Sequence, residues 1–140
     1  MISIPEIIKE IKSANFVFIC GNGGSASTAN HFANDLVKMC GIKAISLCAN
    51  VAVLSAYAND HGYDFVFADQ LNVLATRNDL LITMSGSGTS ANIVLAQDTA
   101  RELKIPYTHF PTMKDLECDM QRTEDEHLKW VHEITDKLSK

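Results

Sequence analysis

Apolar and polar residues alternate along this chain in blocks that predict strands and helices in turn. Short continuous apolar runs bounded by turn residues are typical of fully buried strands, whereas apolar positions spaced by three and four predict amphipathic helices. On this basis we expect strands over residues 16–20, 44–48, 80–84 and 105–110. We expect helices over residues 4–13, 25–39, 51–58, 63–75, 90–103 and 123–138.

The alternation of these elements predicts an α/β fold. We expect one domain, residues 1–140, built as a three-layer α-β-α sandwich around a doubly wound, mostly parallel sheet of four to five strands. Ser3 and Glu6 form a capping-box sequence at the start of the first helix. The closing helix has a periodic apolar face that we expect to meet the core: Leu128, Val131, Ile134 and Leu138.

Composition narrows the function classes. The chain is 46% hydrophobic and 21% charged, with a net charge of −5, which is typical of a globular protein and disfavours a nucleic-acid partner. It has no apolar run long enough for a membrane span, and its first fifteen residues lack the pattern of a signal peptide. Its four cysteines have no paired spacing. We therefore expect a reduced, cytoplasmic protein with no membrane association.

Two loops rich in glycine and serine follow predicted strands, where the ligands of parallel sheets bind. Gly21–Ser25 follows the first strand, and Ser85–Ser90 follows the third. Glycines allow a ligand to approach the backbone, and free amides at a helix start attract anions. The second loop adds hydroxyl donors without a cationic side chain, which suits a sugar phosphate. The alternatives are a plain tight turn for the first loop and a serine-rich helix cap for the second.

Two helices carry candidate metal ligands. His31 and Asp35 are four residues apart on one helix face, so that an imidazole and a carboxylate can meet one ion, although such a pair is more often a surface pair. The closing helix contains Glu124, His127 and His132. On spacing alone these three residues are more typical of an ordinary solvated helix than of a site.

Taken together, these motifs resemble the sugar isomerase (SIS) domain family in its phosphoheptose isomerase branch. The resemblance rests on the segment GNGGSASTANHFANDL at residues 21–36 and on ANDHG at residues 58–62. It continues through DLLITMSGSGTSANI at residues 79–93 and RTEDEHLKWVH at residues 122–132. It implies isomerisation of sedoheptulose 7-phosphate to D-glycero-D-manno-heptose 7-phosphate, by metal-assisted proton transfer through an enediol.

The resemblance also implies a role for each matching residue. One zinc ion per site would be held by His31, Asp35, Glu124 and His132, with Asp35 as catalytic base and His132 as general acid. The positions that would bind the sugar phosphate are Asn22, Gly23, Gly24, Ser25, Asn59, Asp60, Ser85, Gly86, Ser87, Ser90 and Glu124. It further implies a homo-oligomer, a tetramer or a dimer, whose subunits share active sites.

Three residues depart from the family pattern. Asp35 stands where the family has glutamate, and the carboxylate therefore retreats by about 1.5 Å, one bond length. Glu124 stands where the family has glutamine, which adds negative charge near a cation. Gly86 stands where a hydroxyl residue is usual. These departures leave a second hypothesis open: a non-catalytic SIS module that binds a sugar phosphate, a protein partner or both.

Overall fold

The computed structural model describes residues 1–140, and it contains four strands and seven α-helices. A 3₁₀ turn, Tyr63–Phe65, precedes the fourth helix. In chain order the elements are α1 (Ile4–Ser13), β1 (Val17–Gly21), α2 (Gly24–Cys40), β2 (Ala44–Ser46), α3 (Val51–His61), α4 (Val66–Leu74), β3 (Leu80–Met84), α5 (Ala91–Glu102), β4 (Tyr107–His109), α6 (Met113–Leu116) and α7 (Met120–Leu138).

The four strands form one sheet in the order β2-β1-β3-β4, with every neighbouring pair parallel. The chain moves outward from β1 in both directions, which confirms a doubly wound sheet with four strands. Every residue of β1 and of β3 is buried, as continuous apolar runs predict. In their register Val17 lies opposite Leu80 and Gly21 opposite Met84, so both strands end level with each other.

Helices cover the sheet in two layers. On one side α7 packs against α2 and α1, and on the other α4 packs against α5 and α3. Between the layers lies one cluster of 26 buried hydrophobic residues. Phe32 of α2 and Phe110, which follows β4, meet inside it with ring centroids 5.8 Å apart. This confirms the predicted three-layer α-β-α arrangement. No helix combines the length and the apolar character needed to cross a membrane.

Local sequence signals set several element boundaries. The predicted capping box at α1 is present, since Ser3 Oγ accepts from the Glu6 amide and the Glu6 carboxylate accepts from the Ser3 amide. Helix α2 ends at Gly41, whose φ of +65° is the left-handed conformation that favours glycine at a helix end. Strand β3 has the predicted bounds, Leu80–Met84.

The closing helix differs from its prediction in which face meets the core. Leu128 is 36% exposed, so its predicted place on the core face is wrong, whereas Val131 and Ile134 are buried as expected. His127 is buried instead, and its Nε2 atom lies 2.6 Å from the Pro111 carbonyl oxygen. A polar ring can take this core position because the partner carbonyl replaces the water that it loses.

Candidate functional site

The two predicted loops lie side by side at one edge of the sheet. Because Gly21 pairs with Met84, the glycine loop (Gly21–Ser25) and the serine loop (Ser85–Ser90) leave neighbouring strands at the same level. Gly21 allows this approach: a Cβ there would lie 2.8 Å from the Ser25 backbone oxygen and 2.9 Å from that of Met84. These distances are too short for a side chain, so glycine is required where the two loops begin.

Asn22 joins the glycine loop to the start of α5. Its Nδ2 donates to Asn92 Oδ1 over 2.9 Å, and Asn92 Nδ2 donates back to Asn22 Oδ1 over 2.8 Å. The Tyr63 hydroxyl also donates to Asn22 Oδ1, at 2.8 Å. Burial raises the pKa of this tyrosine, so it stays a neutral donor near neutral pH. The loop is therefore fixed to α5 by side-chain amides before any ligand binds.

The serine loop orders itself through its own hydroxyls. Ser85 Oγ accepts from the Gly88 amide at 3.0 Å, and Ser87 Oγ accepts from the Thr89 amide at 3.2 Å. The two hydroxyl oxygens are 3.3 Å apart. Ser90 is the N-cap of α5, and its side chain makes no capping hydrogen bond. The loop thus gathers hydroxyl and amide donors at a helix N-terminus, an arrangement that suits an anion with several oxygens.

A second set of predicted residues meets between α2 and α7. His31, Asp35 and His132 form a group, called here the His–Asp–His group, whose ligand atoms all lie within 4.8 Å of one another. His31 Nε2 is 3.1 Å from Asp35 Oδ2 and 3.2 Å from His132 Nε2. Both imidazoles are exposed, while Asp35 is 9% exposed. A small molecule can therefore reach the group from the side of the two imidazoles, whereas the carboxylate side is buried in the protein.

The spacing of these atoms fits a divalent metal ion. Two nitrogen ligands each 2.0–2.1 Å from a tetrahedral zinc ion are about 3.3 Å apart, close to the 3.2 Å between the Nε2 atoms of His31 and His132. Two imidazoles and one carboxylate are also a common donor set for a catalytic metal, which keeps its remaining positions for substrate or water. The group is therefore a candidate metal site with open coordination positions.

The structure places Glu124, the fourth predicted ligand, at the other end of the same helix pair. Its carboxylate lies against Gly24, where a Cβ would overlap it, and it is outside the His–Asp–His group. Eight residues separate it from His132, about two helical turns or 12 Å along α7. A carboxylate beside the first turn of α2 is stabilised by the positive end of the helix dipole.

The remaining predicted positions differ in their surroundings. Ser25 is buried, whereas Gly23 is exposed and has a φ of +55°. Asn59 and Asp60 are exposed at the end of α3, where Asn59 Nδ2 donates to Asp60 Oδ1 over 3.0 Å. Within one chain, neither of the two hydrogen-bonds to another predicted site residue.

Gly86 has its own packing partner. A Cβ on Gly86 would overlap the thioether of Met120, the first residue of α7. The Gly86 carbonyl accepts from the Met113 amide at 2.8 Å, which joins the serine loop to α6. The departure from a hydroxyl residue at this position is therefore matched by a methionine that fills the space beside it.

Three residues that contact the loops were absent from the sequence prediction: Tyr63, Asn92 and His109. Tyr63 and Asn92 hydrogen-bond to Asn22. His109 ends β4, and its Nε2 atom would lie 3.7 Å from a Cβ on Gly88. The place of His109 at the carboxyl end of a parallel strand is a signal that could have singled it out. Asn92 and Tyr63 offered no comparable signal, since their roles depend on tertiary contacts.

An open parallel sheet, with a donor-rich loop at its carboxyl edge and a candidate metal site between two of its covering helices, is typical of a small-molecule-binding α/β domain. Comparison with known families specifies the class further. The family model described as "SIS domain" matches residues 4–106, about three quarters of the chain. The chain belongs to the SIS domain family.

Curated relatives and solved structures agree with this assignment. The chain is 42% identical over 108 residues to a phosphoheptose isomerase of Helicobacter pylori, a match covering 74% of this chain and 56% of the relative. The matched region thus spans about half the length of such curated relatives. The structure of a phosphoheptose isomerase from Neisseria gonorrhoeae superposes with a TM-score of 0.88 at 25% identity, covering 96% of this chain and 84% of that one. One from Francisella tularensis gives 0.85 at 25% identity, covering 96% and 83%.

Proposed function

We propose that this protein is a metal-assisted aldose–ketose isomerase that converts sedoheptulose 7-phosphate to D-glycero-D-manno-heptose 7-phosphate. The observation that carries the proposal is that His132, 101 residues from His31 in sequence, joins His31 and Asp35 in one group with metal-ligand spacing. The names of the curated relatives support the substrate. The non-catalytic alternative has no comparable support, because a binding module has no need of such a donor set.

The serine loop would hold the phosphate of the substrate. Its hydroxyls and the amides at the start of α5 can meet several phosphate oxygens at once, and they add no charge that would compete with the metal site. Binding energy from this remote group then orients the reacting carbons. Asn22, held by Asn92 and Tyr63, lies at the neighbouring loop and is the candidate contact for the sugar chain.

Asp35 would move the proton between carbons. Its carboxylate takes a proton from C1 of the ketose, and the C2 carbonyl oxygen gains a proton. C1 and C2 are then joined by the double bond of an enediol. The same carboxylate then returns its proton to C2 while the O1 hydroxyl proton leaves, so that C1 becomes the aldehyde carbon. The low exposure of Asp35 shields this transfer from bulk water.

His132 would serve the oxygen side of the reaction. Its Nε2 atom faces His31, so Nδ1 is the atom available to move a proton to or from the sugar oxygens. A divalent ion, zinc in this proposal, supplies positive charge for the oxyanion that develops at those oxygens. His31, Asp35 and His132 would hold this ion, and Glu124 would contact the sugar or reach the ion in another subunit.

A homo-oligomer completes the proposal. Asn59 and Asp60 are exposed and make no hydrogen bond to either loop within one chain, so their side chains are free to contact sugar bound in a neighbouring copy. We therefore propose a tetramer, or a dimer, in which subunits share active sites. Analytical ultracentrifugation with and without zinc measures this assembly, and a monomer with full isomerase activity would contradict it.

Conversion of sedoheptulose 7-phosphate, followed by NMR, tests the activity. We expect turnover with zinc, loss of turnover with a chelator, and loss of turnover in Asp35→Asn. Asp98→Asn is the matched control, since it breaks the exposed Asp98–Arg101 pair on α5, and neither residue belongs to the predicted site. Tight binding of the sugar phosphate by zinc-loaded protein without any turnover would overturn the isomerase and favour a binding module.

A further inference from the structure

A partly buried polar network lies next to the serine loop. His109 Nδ1 is 2.6 Å from Thr83 Oγ1, and Gln97 Nε2 lies 3.0 Å from the same oxygen and 3.4 Å from His109 Nδ1. Thr83 belongs to β3, His109 to β4 and Gln97 to α5. These three elements surround the point at which the serine loop leaves the sheet. The roles proposed above for the serine loop make no use of this network.

The donors in the network fix the position of the imidazole proton. The Gln97 amide nitrogen can only donate, and it gives a proton to Thr83 Oγ1. The Thr83 hydroxyl can then donate its own proton to His109 Nδ1. A proton on Nδ1 would face the Gln97 amide nitrogen, itself a donor, at 3.4 Å, so Nδ1 is the acceptor. Since Nδ1 is an acceptor, the proton of the neutral ring is on Nε2. Burial, followed by the nearby His127, lowers the pKa of His109, so the ring is neutral near pH 7.

The Nε2 proton points at the underside of the serine loop. Nε2 is buried and has no hydrogen-bond partner. It would lie 3.7 Å from a Cβ on Gly88, and the Ser85 backbone is near enough to raise the pKa of the ring in opposition to burial. An unpaired buried donor costs free energy unless a nearby acceptor uses it. The acceptor that lies near the ring is the Ser85 backbone, at the start of the turn that ends at Gly88.

We propose that His109 is a positioning residue for the anion-binding loop: its Nε2 proton, fixed by Thr83 and Gln97, holds the Ser85–Gly88 backbone in the form that binds phosphate. This inference rests on the proposed role of the serine loop. With the turn held from below, Ser85 and Ser87 keep their hydroxyls on the Gly88 and Thr89 amides and present the remaining donors to the ligand. His109 itself touches neither the substrate nor the reacting atoms.

Two substitutions of the same residue separate the two ring nitrogens. In His109→Asn the side-chain amide falls near the position of Nδ1, so the contact with Thr83 can persist while the loop-facing donor is lost. In His109→Gln the longer side chain places its amide near the position of Nε2 and keeps that donor. We expect His109→Asn to weaken the binding of inorganic phosphate by about 3- to 10-fold, the range of one neutral hydrogen bond. We expect His109→Gln to restore most of the loss.

Steady-state kinetics and NMR distinguish a positioning role of His109 from a general contribution to folding stability. His109→Asn should raise KM for sedoheptulose 7-phosphate by the same factor as the phosphate affinity falls, with kcat unchanged. The imidazole ¹⁵N shifts of the wild-type protein should show the Nε2–H form. Thr83→Val, which removes the hydroxyl that fixes this form, should shift the ring toward Nδ1–H and also weaken phosphate binding. It tests the network if the His109 variants do not fold.

The outcomes distinguish this inference from the function on which it rests. If the wild-type protein binds neither inorganic phosphate nor the sugar phosphate, the role of the serine loop fails and this inference fails with it. If the wild type binds phosphate but His109→Asn and Thr83→Val bind it equally well, only the role of His109 is overturned. A fall in kcat at constant KM, or an Nδ1–H ring in the wild type, also overturns it.

Discussion

Replacing Gly21 by alanine tests whether the close approach of β1 and β3 sets the spacing of the two loops. A Cβ at Gly21 would lie 2.8 Å from both the Cβ and the backbone oxygen of Ser25, and 2.9 Å from the Met84 backbone oxygen. Two of these three atoms belong to the backbone, so no side-chain rotation can relieve the overlap. Overpacking of this kind costs about 1–3 kcal/mol of unfolding free energy. Relief requires β1 to move away from both β3 and the start of α2, where the two loops begin.

Urea unfolding and phosphate titration measure the two consequences of Gly21→Ala. We expect the free energy of unfolding to fall by about 1–3 kcal/mol, with a weaker affinity for inorganic phosphate. Gly41→Ala is the matched control, because Gly41 has open space around it and a φ of +65°. Its alanine variant should lose about 1–2 kcal/mol through backbone strain alone. It should keep the phosphate affinity of the wild type, since Gly41 lies at the far end of α2.

Comparison of Gly21→Ala with Gly41→Ala shows whether the loss of phosphate affinity exceeds what a loss of stability alone would cause. Gly21→Ala should lose phosphate affinity out of proportion to its loss of stability, while Gly41→Ala should lose stability only. If Gly21→Ala unfolds at the wild-type urea concentration, the overlap does not matter and the reasoning is refuted. If both variants lose stability and neither loses affinity, the strand spacing does not set the loop spacing.

Three further predictions follow from other contacts. Burial lowers the pKa of His109 and His127 below the usual 6.5. The unfolded chain therefore binds more protons than the folded chain below that pH. The free energy of unfolding, measured in urea, should be constant above about pH 6.5 and should fall below it. His132→Ala should weaken zinc binding by at least about tenfold in calorimetric titration, and an unchanged affinity would remove this residue from the site. Asn92→Ala should lose about 1–3 kcal/mol of unfolding free energy, because it leaves Asn22 without its amide partner; equal stability would contradict the role of that pair.

Local sequence signals were sufficient for much of the fold. Strand β3 has its predicted bounds because its apolar run ends sharply at the serine loop, and α1 has its predicted bounds because a capping box marks its start. Helix α6 was not predicted, since four residues give no periodic pattern. The choice of Leu128 for the core failed for a different reason. Periodicity ranks residues by hydrophobicity alone, and the Pro111 carbonyl that makes His127 suitable for burial is sixteen residues away.

The part of the candidate site that lies on a single helix could be predicted from spacing. His31 and Asp35 are one turn apart on α2 and meet as helical spacing requires. The addition of His132 rested on resemblance to a family, and the packing of α7 against α2 brings it to 3.2 Å from His31. The network of Thr83, Gln97 and His109 could not be predicted, because its members come from three elements and contact one another only in the folded sheet.

The pairing of His31 with His132 connects residues that are 101 positions apart. An ion bound there would cross-link α2, in the first βα unit, to the last helix, α7. The cross-link would close a loop of the chain that contains the whole of β2, β3 and β4. By mass action it would stabilise the native chain by about 2.7 kcal/mol at a free concentration 100 times its dissociation constant. Removal of the ion would therefore destabilise the packing of the carboxyl-terminal helix as well as stop the proposed isomerisation. The supply of metal would thus set the folding stability of the chain in addition to its proposed activity.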